Sequence, residues 1–93
     1  MVLNSQYGSK TLTSAQIRAA RALLRWSAVD LASRSSVGVT TIRRAELAIS
    51  ETSMTTANDL AVRRTLEGAG VEFIAENGGG PGVRLRDRQE KSP

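Results

Sequence analysis

The run from Ser27 to Glu46, SAVDLASRSSVGVTTIRRAE, limits the fold of this 93-residue chain more than any other stretch. Ser27 predicts a helix N-cap. Asp30 then sits at the third helical position, near the positive end of the helix dipole. Ser35-Ser36-Val37 reads as a short turn, and Ile42 falls inside the helix that follows. Two helices joined so tightly need a small residue where they cross, which Ala32 supplies. They also need a turn residue that accepts positive φ, the place of Ser36. Val37 and Ile42 are the apolar anchors of the second of these helices.

The flanking sequence builds a bundle around this unit. Thr13 with Gln16 forms a capping-box pattern, and Ile17, Ala20 and Leu24 lay one apolar stripe along a helix running to about Arg25. Trp26 and Leu31 bracket the next cap as a hydrophobic staple, so the single Trp reads as core rather than as a stacking platform. Thr55 or Thr56 can cap a further helix ending near Glu67, with Met54, Leu60, Val62 and Leu66 expected in the core. Gly68 and Gly70 stop it.

Beyond Gly70 the apolar period changes to two. Val71, Phe73 and Ala75, then Val83 and Leu85 past the turn segment NGGGPG at 77–82, predict a hairpin. The glycine run lacks the Lys-Ser/Thr of a phosphate loop and precedes a strand, so it is turn chemistry. Pairing Ala75 with Val83 would set Glu72 opposite Arg86. Val71, Phe73, Val83 and Leu85 would share a face needing cover from the helices or from a second copy of the chain. Ile74, out of phase with them, is expected either to be covered by a second copy or by the chain's own tail, or to serve as the anchor for a protein partner.

Composition removes several function classes. With no Cys and no His, zinc, iron–sulfur, disulfide, thiol and imidazole chemistry are excluded. The nine acids are scattered and form no catalytic pair, so neither an enzyme nor a metal or cofactor is expected. The length makes one domain. No apolar run reaches the roughly 18 residues that span a bilayer, and residues 1–12 lack the apolar stretch of a signal peptide. A cytoplasmic protein with no membrane partner is expected. Eleven of the 13 basic residues are Arg, which suits forked contacts with phosphates and base edges. Residues 14–49 hold six Arg against Asp30 and Glu46, whereas residues 50–76 hold five acids against Arg63 and Arg64. Such a division suggests one face for a polyanion and another for something else.

IRAAR at 17–21, SAVDLA at 27–32 and SSVGVTTIRRAE at 35–46 together resemble the Cro/repressor-type helix-turn-helix regulators, the XRE family, over about residues 13–70. The resemblance implies a mainly α, lambda-repressor-like helix-turn-helix bundle of about four helices. A C-terminal β-hairpin at 71–86 lies outside the core motif as a dimerisation or packing element. Residues 1–12 and 87–93 are expected as flexible tails. The resemblance pairs Arg21 with Glu46 and lays the third helix in the major groove of double-stranded DNA. Val39, Thr40, Thr41, Arg43 and Arg44 are then the expected DNA contacts, with Ser27 beside them. The two Arg would reach guanine edges or phosphates, the two Thr phosphates, and Val39 a thymine methyl. Three residues depart from the family pattern: Ser36 where Gly is preferred, Gly38 where a Ser or Thr cap is usual, and Ala28 where many members carry Gln. The expected function is a sequence-specific, dimeric repressor. The alternative is an antiactivator that keeps the fold and binds another transcription regulator, with Val71, Phe73, Ile74, Val83 and Leu85 as interface residues.

Overall fold

Local capping chemistry decides where each helix begins. A computed structural model describes residues 11–87, which form four α-helices followed by one hairpin. Helix α1 (Ser14–Leu24) opens on the Thr13–Gln16 box, with reciprocal hydrogen bonds of 3.0 and 3.1 Å. It closes at Arg25, which takes a left-handed conformation with φ 59°. Helix α2 (Ala28–Ser35) opens on the Ser27–Asp30 box, with both bonds at 2.9 Å. A turn of Ser36, Val37 and Gly38 then leads into α3 (Val39–Leu47). Ser36 is left-handed at φ 61°, and Gly38 caps α3 without any side-chain hydrogen bond. Helix α4 (Thr56–Gly68) is capped by Thr55, whose hydroxyl oxygen accepts the Asn58 N–H at 3.1 Å. Gly70, at φ 109°, turns the chain out of α4.

One apolar cluster joins these elements. Ile17 and Ala20 from α1, Leu31 from α2, Ile42 and Ala45 from α3, and Val62 and Leu66 from α4 are all buried in it. Leu12 belongs to the same cluster and is fully buried, and its N–H donates to the Asp59 carboxylate at 3.0 Å. This corrects the tail boundary drawn at residue 12, because an extended segment carries no helical period that would reveal its burial. Residues 1–10 and 88–93, the rest of the two expected tails, lie outside the described residues. Leu60 is also corrected. It is 41% exposed, since α4 buries the phase of Asp59, Val62 and Leu66, and Leu60 points off that line. Met54 packs on the core half-buried.

Strands β1 (Val71–Ile74) and β2 (Gly82–Leu85) form a two-stranded antiparallel sheet. Its register pairs Val71 with Leu85, Glu72 with Arg84, Phe73 with Val83 and Ile74 with Gly82. The expected pairing of Ala75 with Val83 is therefore shifted by two positions: Ala75 lies in the connecting loop, and Glu72 faces Arg84 instead of Arg86. Because the shift is even, the two faces keep the composition read from the alternation. Val71, Phe73, Val83 and Leu85 lie against the helical core, next to α1 and α4. The Gln16 amide donates to the Gly82 carbonyl at 3.1 Å, so α1 is tied directly to β2. No helix among the described residues is long and apolar enough to cross a membrane.

Candidate functional site

Helix α3 has two chemically different sides. Its inner side buries Ile42, Ala45 and Glu46. The outer side is set by the spacing i, i+3, i+4, i+7 and carries Thr40, Arg43, Arg44 and Leu47, all exposed. Val39 and Thr41 lie half-buried at the two flanks. Arg43 and Arg44 join none of the ion pairs found among the described residues, so their charge faces solvent uncompensated.

Several interactions hold this helix in place. Arg21 on α1 grips the Glu46 carboxylate with two hydrogen bonds, from Nε at 2.7 Å and from Nη2 at 2.8 Å. Its remaining arm donates to the Trp26 carbonyl at 2.8 Å, at the entrance to α2. Arg18 donates to the Glu46 backbone carbonyl at 2.6 Å. The hydrogen bond to Glu46 raises the Arg21 pKa further above its ordinary value, against the opposing effect of burial. Arg34 is occupied as well, lying 4.6 Å from the centre of the half-buried Trp26 ring. The six Arg of the basic half thus divide into structural cations (Arg18, Arg21 and Arg34), the exposed Arg25 at the end of α1, and two outward cations on α3.

Ser27 sits at the start of α2, exposed, where its hydroxyl oxygen accepts the Asp30 N–H. The Asp30 carboxyl in turn accepts the Ser27 N–H, which holds its pKa below the ordinary carboxylate value.

No family model, curated protein or solved structure matches this chain.

The site residues expected on α3 (Val39, Thr40, Thr41, Arg43 and Arg44) come together on one element, whereas the expected interface residues are divided. Val71 is fully buried, and Phe73, Val83 and Leu85 are half-buried on the chain's own helices. Ile74 lies on the opposite face of the sheet, half-buried beside Gly82. That face also carries the exposed Glu72–Arg84 pair, whose closest approach is 3.1 Å.

Leu47 and Ile49, which are not among the expected site residues, are 83% and 100% exposed. A signal for Leu47 was present: it falls three and four residues after Arg44 and Arg43, on the outward phase of α3 rather than the phase of Ile42 and Ala45. Ile49 lies just past the helix end and carries no periodic signal. Among the described residues no group of three or more acids, His or Cys is placed to hold a metal ion.

Proposed function

We propose that this protein is a sequence-specific DNA-binding regulator of the helix-turn-helix type, similar to the XRE family, in which α3 enters the major groove. The observation that carries the reading is the unpaired, exposed arginine pair on the outer side of α3. It stands on a helix that follows α2 after three residues and is fixed from behind by Arg21. Arg43 reads a guanine edge or a phosphate, Arg44 contacts phosphate, and Thr40 and Thr41 donate to phosphate oxygens. Val39 approaches a thymine methyl, and Ser27 stands at the α2 N-terminus, where a passing phosphate would meet free backbone N–H groups.

A dimeric repressor remains the preferred form, since paired half-sites about one DNA turn, roughly 34 Å, apart suit a single reading helix per chain. The sheet has only two strands, and each leaves one edge outside the ladder for such an assembly. Because the apolar face of the hairpin is largely taken by the chain's own helices, a strand edge is the more economical contact for a second copy.

The test is a gel-shift with duplex DNA taken from upstream of the protein's own coding region. Arg43→Ala is expected to weaken specific binding by about 1–3 kcal/mol, and Arg44→Ala to weaken specific and non-specific binding alike. Unchanged affinity in Arg43→Ala removes that residue from the reading face.

A further inference from the structure

We propose that Leu47, on the same outward face of α3 as Arg43 and Arg44, and Ile49, just past the helix end, dock an acidic amphipathic segment of another protein, and that this partner competes with duplex DNA for α3. The competition rests on the DNA-binding reading above; the docking stands on the exposed aliphatics and the two arginines, independently of that reading.

Leu47 and Ile49 are the most exposed large apolar side chains among the described residues. They are presented on fixed backbone. The Ala48 carbonyl before Ile49 accepts the Ser14 hydroxyl at 2.8 Å, and the Ser50 carbonyl after it accepts the Ser14 N–H at 2.9 Å. Ser14 is itself buried at the start of α1, and the strap continues through an antiparallel bridge between Thr13 and Glu51. Ile49 is therefore clamped on both sides with its side chain wholly in solvent. Such preorganisation removes an ordering cost from any association made there.

Charge and chemistry select the occupant. The base edges of DNA offer aliphatic side chains little beyond thymine methyls, so a duplex gives these two exposed aliphatics no adequate cover. On the outward face of α3 the apolar Leu47 adjoins Arg43 and Arg44, while the helix's acid, Glu46, is turned inward onto Arg21. Glu51, exposed two residues beyond Ile49, is the nearest outward acid along the sequence. Aliphatic anchors beside two unpaired arginines complement a helix with an apolar stripe and acidic flanks. A second copy packed on this face would bring two cationic patches together, a like-charge arrangement that disfavours association. The two ends of the described residues lie elsewhere. The antiparallel sense of the Thr13–Glu51 bridge carries the segment before Thr13 toward Thr52, away from Ile49. Asp87, the last described residue, lies beside Leu23, Leu24, Ala69 and Leu85.

The test uses a fluorescein-labelled Glu-rich peptide designed as an amphipathic helix with Leu at i, i+3, i+4 and i+7. A control peptide has the same composition with the Leu residues scattered. Fluorescence anisotropy is expected to show the amphipathic peptide binding at least about tenfold more tightly than the control. Leu47→Ser/Ile49→Ser should lose that advantage while melting as the wild type does, and Ile49→Ser alone, past the helix end, should weaken peptide binding while holding duplex affinity within about twofold. Added duplex should release the bound peptide. Equal binding of both peptides would reduce the effect to charge and overturn the proposal, as would an unaffected double variant. A wild-type dimer that this variant dissociates in sedimentation would assign the patch to a second copy and also overturn it. Peptide binding without duplex binding defeats the DNA reading and leaves the docking intact. Duplex binding without peptide binding does the reverse.

Discussion

Arg21 illustrates how a cation in the basic half serves the fold while its neighbours remain free for a ligand. Its guanidinium satisfies both Glu46 carboxylate oxygens and a backbone carbonyl in a partly buried position. Arg21→Ala would leave the 8%-exposed Glu46 without that partner, at an expected cost of about 3 kcal/mol. For a domain of this size the melting midpoint should fall by roughly 10–20 °C. Arg21→Met/Glu46→Leu should recover much of this, because no charge is then stranded. A double variant no more stable than the single one would contradict the assignment. At Asp30 the same logic becomes a pH effect. Its carboxyl pKa is lowered, first by the Ser27 N–H and then by the Ser27 hydroxyl. A lowered folded-state value means the stabilisation is present above the ordinary Asp pKa, about 3.9, and is lost as pH falls through the folded value. Glu72, lowered by its hydrogen bond to Arg84, acts in the same sense. Thermal midpoints should therefore drop on acidification below about pH 4, and Asp30→Asn should show a smaller drop than wild type across that window.

At the scale of the elements, the turn between α2 and α3 holds two unoptimised residues. Ser36 adopts the left-handed region at φ 61°, where a Cβ is disfavoured by about 1 kcal/mol or more. Ser36→Gly should thus raise stability by about 1 kcal/mol, less the greater unfolded-state freedom of Gly, and leave α3 in place. Gly38 caps α3 without a side-chain bond, and a Cβ there would meet only Thr41 Oγ1, at 4.0 Å. Gly38→Ser should add a few tenths of a kcal/mol. Denaturant midpoints check both; a destabilised Ser36→Gly would mean that Ser36 makes an interaction beyond its backbone role. These positions also show why the helices were legible in sequence: Thr13–Gln16, Ser27–Asp30 and Thr55 are local signals that the structure uses directly. The hairpin was legible in its period and faces but not in its register, because the loop from Ala75 to Pro81 is long and glycine-rich and can close in more than one pairing. Leu12 was not legible, since its burial depends on Asp59, 47 positions away. The outward residues of α3 followed from helical phase, whereas Ile49 could be found only from its fixed and uncovered position.

Across the described residues, four capped helices and a hairpin enclose one core, and the outer face of α3 carries two adjacent arginines that join no ion pair. A face that meets a polyanion releases counterions as it binds, so the salt dependence of duplex binding tests it most directly. Anisotropy titrations of the wild type at increasing salt, with the same upstream duplex, should give log affinity falling linearly with log salt. The slope should be several units steep, at about 0.9 per phosphate neutralised, and shallower by about one unit in Arg44→Ala. No measurable duplex binding at low salt, or binding indifferent to salt, would contradict the account.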